Sequence, residues 1–209
     1  MKRFPITNVD DIVGAYRDSD EKLYASLELN QVAFPKTGMV VSQTPLGDAF
    51  TKANPCENGM WVVADKAAGA INPPAAATDS PIGIVYTTEK EYDIMHYGLQ
   101  RFGRKVKGDY PRVGIFGLGD TVTTNCLQYD DSEFKAVTTS GSEKTSDEVL
   151  FAALEAIGTT PLYVKAVAGS PVPQITATKP SAGTYAKVVK FYTVPNGGKG
   201  VKYQIVSLG

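Results

Sequence analysis

The chain reads as a mainly β protein, made of antiparallel barrel or sandwich units with one short helix near residues 146–157, and three observations carry that reading. Its 209 residues hold 21 Val, 19 Thr and 10 Ile against 11 Leu. Such β-branched side chains pack well on a pleated sheet and lose rotamer freedom in a helix. Its 20 Gly and 13 Pro divide the chain into short segments. Only one stretch, around residue 150, has an apolar stripe at helical spacing with a start and a stop signal.

The strand-like runs, in order, are Leu23–Leu29, Gly38–Ser42, Met60–Ala64, Ile82–Thr87, Val113–Phe116 and Asp120–Asn125 in the first part of the chain. Phe134–Thr138, Leu162–Val167, Gln174–Thr178, Tyr185–Val194 and Val201–Val206 follow, each rich in strand-forming residues and bounded by turn residues. The last two form the clearest hairpin. They flank Pro195-Asn196-Gly197-Gly198-Lys199, and Val201, Tyr203 and Ile205 alternate with Lys202 and Gln204, which predicts one core face and one wet face. In the helix, Thr145 and Glu148 have capping-box spacing, Val149, Leu150, Ala153, Leu154 and Ile157 mark the apolar side, and Gly158 supplies the stop. This helix is expected to cover a sheet.

The predicted organisation is an N-terminal arm over residues 1–20, a β-barrel-like domain over 21–140, and a helix plus β-hairpin unit over 141–209. The polar stretch Thr138–Ser146, with Ser140-Gly141-Ser142, marks the boundary. A faint repeat links Trp61-Val62-Val63, Ala76-Ala77-Thr78 and Ile84-Val85-Tyr86 to Leu162-Tyr163-Val164, Thr176-Ala177-Thr178 and Val188-Val189, so the last unit can be read as a second barrel-like half; chance recurrence is the alternative.

Composition excludes several functional classes. The 21 Lys and Arg nearly cancel 22 Asp and Glu, for a formal charge of −1 and a pI near 5.9. A general nucleic-acid coat needs a cationic surplus, so no direct nucleic-acid binding is expected. No run approaches the roughly 20 apolar residues that span a bilayer, and Asp10 and Asp11 interrupt any signal-peptide core after Met1-Lys2-Arg3-Phe4-Pro5. Folding in a reducing cytoplasm, with Cys56 and Cys126 as buried thiols, is the expectation; a bridge between them is the alternative.

Catalytic motifs are sparse. His96 is the single histidine, without a Gly-x-Ser-x-Gly elbow or a catalytic cysteine context to serve it. Gly114, Gly117 and Gly119 have the spacing G-x-x-G-x-G, the wrong order for a dinucleotide loop, and predict a sharp strand-to-strand turn. Asp18, Asp20 and Glu21, and again Asp130, Asp131 and Glu133, lack an EF-hand pattern and read as solvated loops. No catalytic residue, metal site or cofactor is expected. The stretch Gln100–Arg112 is a basic patch in which Arg101, Arg104, Lys105, Lys107 and Arg112 interleave with Phe102 and Tyr110. Arg and aromatic residues are enriched at protein contacts and can also stack on nucleic acid. The alternative is an exposed loop whose charges balance Glu89, Glu91, Asp93 and Asp109. Together with Arg3 and Phe4 of the arm, Arg101, Phe102, Arg104, Lys105 and Lys107 are the candidate partner-binding residues.

The segment from Gly59-Met60-Trp61-Val62-Val63-Ala64-Asp65 through Ala75-Ala76-Ala77-Thr78-Asp79-Ser80-Pro81-Ile82-Gly83-Ile84-Val85-Tyr86 resembles the strand, alanine-rich loop and strand of small barrel proteins from tailed-bacteriophage heads. The second half, from Gly119–Asn125 through to Lys187–Phe191, is similar in texture to virion β-domains. The resemblance covers about half of the chain. It implies a capsid decoration or cement protein that is made in the host cytoplasm, resides in the virion, and binds the major capsid protein as a homo-oligomer on the lattice, often near local threefold positions. On that expectation Met1–Tyr16 is an arm that lies on a neighbouring subunit by strand addition. The alternative is a carbohydrate- or receptor-binding β-sandwich module, for which Trp61 or Tyr97 would offer an aromatic platform.

Overall fold

The computed structural model describes residues 1–4, 31–33, 38–64, 66–86, 104–139, 142–193 and 199–209. Two open sheets dominate. The larger runs in spatial order through Lys2–Arg3 (β1), Gln128–Tyr129 (β10), Ser170–Thr176 (β14), Tyr163–Val167 (β13), Thr184–Thr193 (β15), Lys199–Leu208 (β16), Thr121–Thr124 (β9) and Gln31–Ala33 (β2). The smaller runs through Val40–Val41 (β3), Val113–Ile115 (β8), Ile82–Val85 (β6) and Trp61–Val63 (β5). Two short antiparallel pairs complete the described strands: Cys56–Glu57 (β4) with the sequence-distant Arg104–Lys105 (β7), and Val137–Thr139 (β11) with Ser142–Lys144 (β12). The fold is therefore mainly β and sandwich-like. Neither sheet closes on itself, so the barrel form of the expectation is not the one adopted. Among the described strands pairing is antiparallel except between β10 and β14, which run parallel, and a single parallel bridge joins Leu46 to Ile71.

The larger sheet draws β1 from the expected arm, β2, β9 and β10 from the expected middle domain, and β13 to β16 from the expected last unit. Its inner face follows from strand alternation. Val164, Ala186, Val188, Val201, Tyr203 and Ile205 are buried there with Trp61, Ile82 and Ile84 from one side of the smaller sheet. The other side of the smaller sheet places Val41, Val62, Val85 and Val113 in a second core with Leu46, Phe50 and Ile71. Buried on both faces, β6 is an uninterrupted run of buried residues rather than an alternating one.

One polar contact ties the two sheets through the first core. The Trp61 Nε1–H donates to the Tyr203 hydroxyl at 2.9 Å, and the two rings meet edge to face with centroids 5.8 Å apart. Both side chains are fully buried, and burial pushes the Tyr203 phenol far above its ordinary value. Residues between β8 and β9 carry the chain from the smaller sheet to the larger. There Gly119 takes φ +92°, its N–H donates to the Ile205 carbonyl at 2.9 Å, and the Gly117 N–H donates to Asp120 Oδ2 at 2.7 Å, giving the sharp strand-to-strand turn expected from the glycine spacing.

The one α-helix among the described residues, Ser146–Glu155 (α1), starts where the capping box predicts. Glu148 N–H donates to Thr145 Oγ1, and Thr145 N–H donates to the Glu148 carboxylate at 2.7 Å. Its Leu150 and Leu154 enter the first core, so the helix covers the inner face of the larger sheet. The stop differs from expectation. Ala156 is the C-cap, its N–H shared between the Ala152 and Ala153 carbonyls, and Gly158 does not adopt left-handed backbone. None of the described helices is long and apolar enough to cross a membrane.

Candidate functional site

Of the residues expected to bind a partner, the described ones stand in or beside two strands of different sheets, Arg3 and Phe4 at β1 and Arg104, Lys105 and Lys107 at β7. Arg101 and Phe102 lie outside the described residues, as does His96. Arg104 and Lys105 form β7, where they stand opposite Glu57 and Cys56 in the register. Lys105 is half-buried; burial, then the charge of Glu57, pushes the Cys56 thiol well up, and Lys105 offsets part of that. Lys107 is exposed but ion-paired with Asp48. At the N-terminus, Lys2 and Arg3 pair with Tyr129 and Gln128 of this same chain. The expectation of an arm on a neighbouring subunit gives way, for these first residues, to a strand of the chain's own sheet. Phe4 is 1% exposed, its ring edge-on to Phe151 at 5.7 Å, so its role is core packing and not surface contact. Residues 5–16 lie outside the described residues.

Trp61 is equally unavailable to a sugar, being fully buried between the sheets; Tyr97 lies outside the described residues. The carboxylates of the Asp130 cluster are engaged within the chain, Asp130 locally and the other two across the fold. Asp130 Oδ1 accepts from the Ser132 N–H at 2.8 Å, and that bond holds its pKa below the usual carboxylate value. Asp131 pairs with Lys2 at 3.7 Å. Glu133 Oε1 accepts from Thr176 Oγ1 at 2.8 Å and from the Ala177 N–H at 2.7 Å. Among the described residues, no group of three or more His, Cys, Asp or Glu could hold a metal ion. Cys56 and Cys126 are buried thiols that are not joined in a disulfide, the first of the two expected readings.

What the fold does assemble is the outer face of the larger sheet. In register across β13, β15 and β16, Lys165 stands opposite Tyr185, Tyr163 opposite Lys187, Lys187 opposite Gln204, and Lys190 opposite Lys202. A bulge between Val188 and Lys190 breaks the period of two, so Val189 and Lys190 both face outward. Val189 and Val206 are 45% and 42% exposed. The Tyr163 and Tyr185 rings meet edge to face at 6.1 Å, and Lys190 Nζ lies 4.8 Å from the Tyr192 ring centroid. No Asp or Glu occurs anywhere in β13, β14, β15 or β16. Two like charges directly opposite on one sheet face are destabilising on their own account, as Lys190 and Lys202 are here.

No protein-family model, curated protein or solved structure matches the chain. The lysine face therefore rests on its own geometry. A sequence signal for it existed in the charge distribution. Residues 156–209 contain six lysines and no Asp or Glu, while the whole chain is nearly neutral. A whole-chain net charge hides such segregation.

Proposed function

We propose that the chain is a non-enzymatic structural protein of a virion shell, bound as repeated copies to a major capsid protein in the manner of a decoration or cement protein. The observation that carries this reading is the lysine, tyrosine and valine face of the larger sheet: a rigid surface suited to contact over an area. Three neighbouring strands, β13, β15 and β16, the longest of ten residues, give it about 15 Å by about 30 Å from ordinary strand spacing and rise, or about 450 Å². A standard specific interface uses about 800 Å² on each partner, so the face supplies about half of one. Attachment of a single copy by this face alone is weak. Contacts of that size become effective when copies that also hold one another engage a repeating lattice, because within a linked array each bound contact raises the effective concentration of the next. The phage-head resemblance of the Gly59–Tyr86 segment supplies the lattice in this proposal.

The test is co-sedimentation of the folded, full chain with shells from which it has been stripped. The expected result is saturable pelleting with the shells at a fixed stoichiometry. A folded chain that stays in the supernatant overturns the proposal.

A further inference from the structure

We infer that the lysine face of one copy docks head to tail on the acidic helix side of a second copy; this rests on the assembly reading above and names one of the partners that the face serves. The two sides of the larger sheet differ in exposed charge, although Lys2 and Lys199 stand on the helix side. On the outer side of the larger sheet stand Lys165, Lys187, Lys190 and Lys202. On its inner side α1 inserts Leu150 and Leu154 into the core, which turns Glu148, Ala152 and Glu155 to solvent along one helix stripe. Asp131 and Asp147 adjoin that stripe at the helix start, held on either side of Lys2 Nζ at 3.7 and 3.9 Å. Residues 130–155 carry seven carboxylates and two lysines, whereas residues 156–209 carry six lysines and no carboxylate; of those six, Lys199 belongs to the helix side, its Nζ 5.9 Å from the Phe151 ring centroid.

This polarity selects the geometry of association. A two-fold contact through the lysine face would set like charge on like charge, and so would one through the helix stripe. A heterologous contact sets opposite charges together and relieves the Lys190 and Lys202 juxtaposition. Val189 and Val206 provide apolar surface at the lysine side, and Ala152, small and exposed, lets the helix approach it. An area of about 450 Å² per copy lies below the standard class, so the contact is weak in free solution.

Sedimentation velocity of the full chain over a range of concentrations, at about 50 mM and about 500 mM salt, tests the inference; the screening length falls from about 14 Å to about 4 Å between them. Concentration-dependent association at low salt, weakened about tenfold or more at high salt, is expected. The variant Lys187→Glu/Lys202→Glu should remain monomeric, as should Ala152→Lys/Glu155→Lys, which leaves the Thr145–Glu148 cap intact. Mixing the two variants should restore association, because the reversed face of one then meets the reversed helix of the other. Circular dichroism checks that each variant is folded, and if one fails the other still reports. A wild-type chain that stays monomeric at low salt overturns the inference, as does association that both variants retain. Salt-sensitive binding of a single-stranded oligonucleotide by the wild type without self-association also overturns it, assigning the face to nucleic acid. None of these outcomes bears on pelleting with shells, which can succeed or fail independently.

Discussion

Replacing Tyr203 by Phe isolates the contact that joins the two sheets. The substitution keeps the ring that packs edge-on against Trp61 and removes the hydroxyl that accepts from the Trp61 indole N–H at 2.9 Å. Both residues are 0% exposed, so no bulk water replaces the lost acceptor. An orphaned buried donor costs about 1–3 kcal/mol, against well under 1 kcal/mol when a hydroxyl is removed from a wet site. Because Trp61 is the only tryptophan, its fluorescence during urea unfolding reports this junction without labelling. The expected result is a lower midpoint with an unchanged slope, and a native emission spectrum altered by the loss of the indole's partner. Lys202→Ala, on the opposite face of the same strand, is the control and should cost under about 0.5 kcal/mol. A Tyr203→Phe variant as stable as that control would refute the reasoning that this bond closes the interior.

Further outcomes follow from the same geometry. Phe4→Ala should lower stability by about 3–5 kcal/mol in a urea melt, the scale for a deleted core ring; a loss below about 0.5 kcal/mol would place Phe4 on the surface instead. Gly183→Ala should cost more than about 2 kcal/mol in thermal unfolding, since left-handed backbone alone costs an L-residue about 1–2 kcal/mol. Gly183 has φ +82°, and a Cβ there would lie 2.3 Å from the Ala77 carbonyl oxygen. Neither of the two thiols should react quickly with a disulfide reagent near pH 8 in the native state, because both are buried and burial holds the Cys56 thiol well above its usual value. Rapid labelling of Cys56 in folded protein would contradict its placement, while full labelling in denaturant is expected.

The parts of the fold that were legible are those with a local pattern long enough to read. Val201, Tyr203 and Ile205 are buried while Lys202 and Gln204 point outward, as their alternation requires. The capping box of Thr145 and Glu148 places the start of α1 correctly. Strands of two residues show no period, which is why β1, β4, β7 and β10 escape sequence reasoning. The docking of Lys2–Arg3 on Gln128–Tyr129 is a pairing across most of the chain, and no local signal specifies it. The lysine face combines both conditions. Lys202 is assigned outward by alternation, but the bulge at Val189 upsets the count in β15, and only the register of β13, β15 and β16 shows that Lys165, Lys187, Lys190 and Lys202 share one surface. The basic stretch Gln100–Arg112 drew attention because its charges are adjacent in sequence, whereas adjacency across a sheet leaves no such mark.

The central claim is that this β protein works as a repeated component of a virion shell. Quantitative mass spectrometry of purified virions from the source, with copy number measured against the main shell protein, tests it most directly. The account predicts a fixed, high ratio to the shell protein that survives extensive washing and falls when the shells are stripped. Absence of the chain from virions that contain their full complement of shell protein would contradict it.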